Sequence, residues 1–251
     1  MAVKAYPNPS KKYGETVCVA GVDIDSGEWR RLYPIPFRDL DSAERFKKYS
    51  VIEVKVSKAK DDARPESFKV DISNKINVVD VYDTSNGWEK RKKVLLPTVS
   101  ASLCEVYGES KSKDKSLGMF RPHNIGFHWK VARKKDQQER KSCYAQLSFY
   151  NKRMEAIEPI PYDFRYSFYC QGEPGCAGHT LPIIDWEIGQ AYRQWRGRYK
   201  DENTLLEKIK ETWLDRICAE KNDIYFFVGN WQRFRDKFMI LGVFYPPAGT
   251  G

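Results

Sequence analysis

Two cysteines and a histidine that fall within ten residues constrain this chain more than any other feature. Cys170, Cys176 and His179 are spaced C-x5-C-x2-H, with only Gln-Gly-Glu-Pro-Gly and Ala-Gly between them. Glycine and proline at these positions predict a tight, turn-rich loop that can aim three side chains at one point. Such a loop has little apolar material to hold its own shape. Thiolate and imidazole are preferred ligands of zinc and, with more sulfur, of iron–sulfur clusters. A closed zinc site needs a fourth ligand, and Cys104, Cys143, His128 and Asp185 are the candidates. Cys104 comes first, because the apolar stripe of its expected helix does not need it. Cys143, on a strand shortly before the loop, comes second. The expected set is therefore Cys104, Cys170, Cys176 and His179, holding zinc. If Cys143 joins the three other thiols, an iron–sulfur cluster is the alternative. The competing reading is two buried thiols and a surface histidine.

The chain has 251 residues, with 43 Lys and Arg against 34 Asp and Glu, a formal charge of +9. That balance favours a polyanionic partner, DNA or RNA before an anionic membrane surface. No stretch approaches the roughly 20 apolar residues of a membrane span. The first residues, MAVKAYPNPSKKYGETV, carry no apolar signal-peptide run. The expectation is a soluble, cytoplasmic protein without membrane contact, its six cysteines serving as thiols or ligands.

The pattern predicts a mixed α+β protein: residues 1–96 as a small β-barrel-like domain, 97–116 as a helix and linker, and 117–251 as an α+β domain carrying the Cys/His loop. Strands are expected over 15–25, 29–35, 51–58 and 76–81, with a short helix over 41–49. A basic, aromatic hairpin, WEKRKKV, should follow Gly87. Pro97 should open a helix reaching Tyr107, followed by a charged loop over 108–116. A basic hairpin tip at 132–141 should lead to a strand over 144–150. Two helices follow. The first carries Ile188, Tyr192, Trp195 and Tyr199 on one stripe, the second Leu206, Ile209, Trp213 and Ile217. A strand pair joined by the turn WQRFRD ends the chain.

Cations interleaved with polar and aromatic residues recur at 88–93, 133–141, 193–200 and 231–237. Arg133, Lys134, Lys135, Arg193, Arg196, Lys200, Arg233 and Arg235 are the candidate nucleic-acid contacts, since Lys and Arg neutralise phosphates and aromatic faces stack on unpaired bases. Asp185 and Glu187 flank Trp186 and offer a metal-dependent nuclease as the alternative function. The plainer account is that Asp185 caps the following helix. Glu53-Val54-Lys55 mimics a nuclease E-x-K but reads equally as a solvated strand face. Phosphate-binding glycine loops and a G-x-S-x-G elbow are absent. A protein-interaction adaptor with an incidental basic surface is the third class.

Overall fold

The structure, a computed structural model, describes residues 1–5, 8–10, 14–37, 40, 44–133, 138 and 160–249. It is mixed α+β. The first part runs β1 (Val3–Lys4), β2 (Asn8–Ser10), β3 (Gly14–Val22), β4 (Trp29–Ile35), β5 (Ser50–Glu53), β6 (Val56–Lys58), β7 (Ser67–Val70), β8 (Asn77–Val81) and helix α1 (Ser85–Leu95). The second runs β9 (Val99–Ser100), α2 (Leu103–Lys113), β10 (Leu117–Phe120), β11 (Pro122–Val131), β12 (Tyr162–Cys170), β13 (His179–Pro182), α3 (Trp186–Trp195), α4 (Glu202–Lys210), β14 (Tyr225–Asn230) and β15 (Phe238–Phe244).

The first part builds a six-stranded sheet, ordered β1-β3-β4-β7-β6 with β2 on β3, and a separate β5-β8 pair. No closed barrel is found among the described residues. The second part builds a four-stranded sheet, β15-β14-β10-β9, and a three-stranded sheet, β11-β12-β13. No helix among the described residues is long and apolar enough to cross a membrane.

Three apolar clusters hold these layers together. One lies wholly in the second part, with Phe120, Tyr166, Phe168, Phe226 and Ile209 essentially inaccessible. Another lies in the first part, around Val19, Ile35 and Phe46. The third is shared: Ala2, Val3, Ala20 and Trp29 meet Leu117, Met119, Phe227, Leu241 and Phe244. Fully burying one such aliphatic or aromatic side chain contributes about 1.5–3 kcal/mol, so the shared cluster binds the two parts firmly. A polar pin reinforces it. The buried Arg31 donates to the carbonyl and hydroxyl of Ser116 at 3.1 and 3.0 Å. Glu66 accepts the Ser116 N–H at 2.8 Å and its hydroxyl at 2.9 Å.

Several elements differ from the sequence expectation. Residues after Gly87 form helix α1 instead of a hairpin; Glu, Lys and Arg have straight side chains that lose little freedom in a helix. The stretch 51–58 is two strands, because β5 pairs with β8 while β6 pairs with β7. Residues 44–49 are turn and coil, with 41–43 outside the described residues. Pro97 sits in a 3-10 turn, Leu96–Thr98, and α2 starts only after Ser102. Ser102 caps the helix by accepting the Glu105 N–H, and the Glu105 carboxylate reaches back to accept the Ala101 N–H at 2.7 Å, one residue before the cap, a variant of the S-x-x-E capping box. The charged residues 108–113 continue this helix. Lys134, Lys135, Cys143 and the strand expected over 144–150 lie outside the described residues.

Candidate metal centre

Strand β12 ends at Cys170, β13 begins at His179, and Phe168 faces His179 across their antiparallel pair. The loop between them closes the hairpin with Gly172 and Gly178 at φ of +73° and +86°, a backbone region that suits glycine. Cys176 lies in this loop, and its N–H donates to the Glu173 carbonyl at 3.0 Å. The loop is tied down by Glu173, which accepts a hydrogen bond from Ser102, the α2 cap, at 3.2 Å. That contact brings the first turn of α2, and with it Cys104, against the loop.

The result is one cluster of Cys104, Cys170, Cys176 and His179, whose ligand atoms all lie within 4.8 Å of one another. His179 Nε2 is 3.5 Å from Cys104 Sγ, 3.4 Å from Cys170 Sγ and 3.3 Å from Cys176 Sγ. Cys170 Sγ is 3.9 Å from Cys104 Sγ. Such a group could hold a metal ion. Tyr107, one turn further along α2, stacks on the His179 ring at 6.0 Å, and Phe168 packs beside it at 5.5 Å.

The local field divides the thiols. Burial, with the neighbouring sulfurs, pushes Cys104 up to about 12. Burial also raises Cys170, against the N–H groups of Cys104 and Leu103 at the start of α2. Burial works on Cys176 in the same sense, but the N–H groups of Cys170 and Gly178 outweigh it and the net shift is downward. Burial lowers His179, which keeps its imidazole neutral, the form a metal requires. A cation among these sulfurs would displace the thiol protons.

Cys18 and Cys218 stand apart from the cluster. Arg31 donates to Cys18 Sγ at 3.6 Å, and Cys218 donates to the Trp213 carbonyl at 3.3 Å. His128 Nε2 is instead 2.8 Å from the Ser167 hydroxyl.

Asp185 caps α3 by accepting the Glu187 N–H at 3.1 Å. Lys48 reaches across from the first part to lie 3.7 Å from Asp185 and 3.3 Å from Glu187. Burial pushes the Asp185 carboxyl up to about 6, with Lys48 acting against that rise. Glu53 and Lys55 are likewise engaged, with Asn77 at 3.2 Å and Asp71 at 3.7 Å.

The basic candidates are dispersed. Arg133 is exposed just beyond β11; Arg196 and Lys200 are exposed and Arg193 half-buried at the end of α3. On the β14–β15 turn Arg233 is exposed, whereas Arg235 pairs with Asp114 at 3.1 Å. Trp231 and Phe234 flank Arg233 and are 46% and 55% exposed.

Residues 99–250 match the model of a domain of unknown function, DUF8757. The chain belongs to the DUF8757 family. All four clustered donors fall within the DUF8757 segment. Residues 1–97 match a second domain of unknown function, DUF8758. No curated protein and no solved structure matches the chain. Sequence reasoning missed the cap at Ser102, legible as S-x-x-E, and the approach of Tyr49 to Trp88 and Arg91, which themselves lie in the basic, aromatic segment 88–93.

Proposed function

We propose that this is a nucleic-acid-binding protein whose DUF8757 segment is stapled by one structural zinc ion. The spacing of the four donors carries the metal half of this reading. With Zn–S of about 2.3 Å and Zn–N of about 2.0–2.1 Å, a tetrahedron puts sulfurs about 3.8 Å apart and sulfur about 3.5 Å from nitrogen. The observed edges are 3.9 Å between Cys170 and Cys104 and 3.3–3.5 Å from each sulfur to His179. Four protein donors leave no open position for substrate, which favours a structural over a catalytic ion. An iron–sulfur cluster is the weaker alternative, because it would hold its ligands farther apart than a single ion does.

The nucleic-acid half rests on the charge of +9 and on the β14–β15 turn. There two exposed aromatic rings flank Arg233, a combination suited to stacking on unpaired bases and neutralising phosphates. A magnesium-dependent nuclease built on Asp185 and Glu187 has less support, since the helix cap and Lys48 already engage both carboxylates. Fluorescence anisotropy with labelled single- and double-stranded DNA and RNA tests the binding. The expected result is affinity that falls steeply between low and moderate salt and weakens in Trp231→Ala/Phe234→Ala. No binding at low salt would replace this reading with a protein-interaction adaptor.

A further inference from the structure

Arg91, on α1, is clamped on three sides. Its guanidinium carbon lies 3.9 Å from the centre of the Tyr49 ring and 4.6 Å from that of Trp88. Its Nε donates to the Tyr82 carbonyl at 2.8 Å. These contacts fix the plane of the fork and leave both terminal nitrogens without a protein partner among the described residues. Stacking against two rings takes part of the guanidinium out of water, a loss that a bound anion would offset. Here no carboxylate among the described residues comes within ion-pair distance. Asp83 and Glu187 act on it only from farther off, and they are engaged by Ser85 and Lys48.

The backbone around this arginine is held in an uncommon form. Asn86, Gly87 and Trp88 have φ of +50°, +63° and +66°, and Tyr49 has +67°. Large side chains adopt this region at a cost, and such strain gathers at ligand sites. Trp88 is braced by Phe244 at 5.5 Å and Tyr245 at 5.0 Å. The Tyr49 hydroxyl is buried with no hydrogen-bond partner, an arrangement that costs free energy unless something else pairs it. Tyr245 is near enough to Tyr49 and Arg91 to act on both electrostatically. The DUF8758 segment supplies Tyr49, Trp88 and Arg91, and the DUF8757 segment supplies Tyr245.

We propose that this junction is an oxyanion site that takes a phosphate group. The terminal nitrogens of Arg91 grip two of its oxygens, the Tyr245 hydroxyl donates to a third, and the Tyr49 hydroxyl gains its missing partner when the site fills. The guanidinium carbon sits over the Tyr49 ring, and Tyr49 and Tyr245 both act on Arg91, so two hydroxyls belong to the same neighbourhood as the fork. A two-pronged fork with further hydroxyl donors in the same neighbourhood offers more donors than the two oxygens of a carboxylate can use, and matches the three oxygens of a phosphate group better. The site does not depend on the nucleic-acid reading, since free phosphate meets the same requirement.

The test is calorimetric titration of the full chain with inorganic phosphate, acetate, and one oligonucleotide carrying either a 5′-phosphate or a 5′-hydroxyl. Phosphate should bind and acetate should bind more weakly. A preference for the phosphorylated oligonucleotide assigns the group to a nucleic-acid end; equal binding of the two oligonucleotides beside saturable phosphate binding assigns it to free phosphate. Phosphate binding without any oligonucleotide binding keeps this site and ends the nucleic-acid reading. Arg91→Lys keeps the charge but loses the planar fork, and should weaken phosphate binding roughly tenfold. Tyr245→Phe should weaken it several-fold, and decides the matter if Arg91→Lys does not give a cooperative melt. The proposal is overturned if no probe binds, if acetate matches phosphate, or if folded Arg91→Lys and Tyr245→Phe both bind phosphate like the native chain.

Discussion

Cys104 and Cys176 enter the donor cluster by different routes, and they test the proposed metal in different ways. Cys176 sits in a loop held by turns and a few hydrogen bonds, so its loss removes a ligand with little loss of packing. Cys176→Ala is expected to reduce metal content and to lower the melting temperature by more than about 5 °C, since ligand loss becomes folding loss. Elemental analysis and a thermal melt check both. Cys18→Ala should leave metal content unchanged, because Cys18 contacts Arg31 and not the cluster. The loop triad was legible in sequence because its three residues fall within ten positions. Cys104 lies 66 positions before Cys170 and was reachable only by asking which thiol its helix did not need. Leu103 and Val106 are fully buried on that helix, and Cys104 is beside them, turned to the loop. The Arg91 clamp was legible only in its local half, Trp88 three residues away, because Tyr49 and the Tyr82 carbonyl are brought to it by tertiary structure.

Among the elements, α2 depends most visibly on a single residue. Ser102 caps it and also holds Glu173 of the ligand loop. Ser102→Ala should destabilise the protein by about 1 kcal/mol, read as a lower denaturant midpoint with an unchanged slope. Acid sensitivity is expected in the loop before β7. Burial acts to raise Asp62, but hydrogen bonds from Arg64 and Ser67 outweigh it and hold the carboxylate down at about 2, against 3.8 unfolded. A depressed carboxylate contributes stability that is complete above the unfolded value and is lost as pH falls from there through about 2. Thermal melts between pH 5 and 2 should therefore show a steeper acid loss in the native chain than in Asp62→Asn. A turn signal before it and prolines at its end bounded β4. Helical spacing placed Ile188 and Tyr192 of α3 and Leu206 and Ile209 of α4 on buried faces, although both helices end earlier than the spacing predicts, at Trp195 and Lys210. Periodicity failed at α1, whose charged residues carry no clear period, and at 51–58, where the alternation continues across a break between sheets.

The whole molecule is two family segments joined by a shared apolar cluster and by the Arg31–Ser116–Glu66 pin. Glu66→Ala would leave the Ser116 and Leu117 N–H groups without their carboxylate acceptor and take a nearby negative charge from the buried Arg31. The expected cost is about 3 kcal/mol, seen in chemical denaturation as loss of stability or as separation of one transition into two. None of this pairing is visible in sequence, since each polar partner looks like an ordinary strand or loop residue until the segments dock. The central claim, a single zinc ion held by Cys104, Cys170, Cys176 and His179, is tested most directly by native mass spectrometry of the full chain purified without chelator. The account predicts one zinc per chain, with the bound metal lost in Cys176→Ala. A metal-free native mass, with melting unchanged by chelator or by Cys176→Ala, would contradict it.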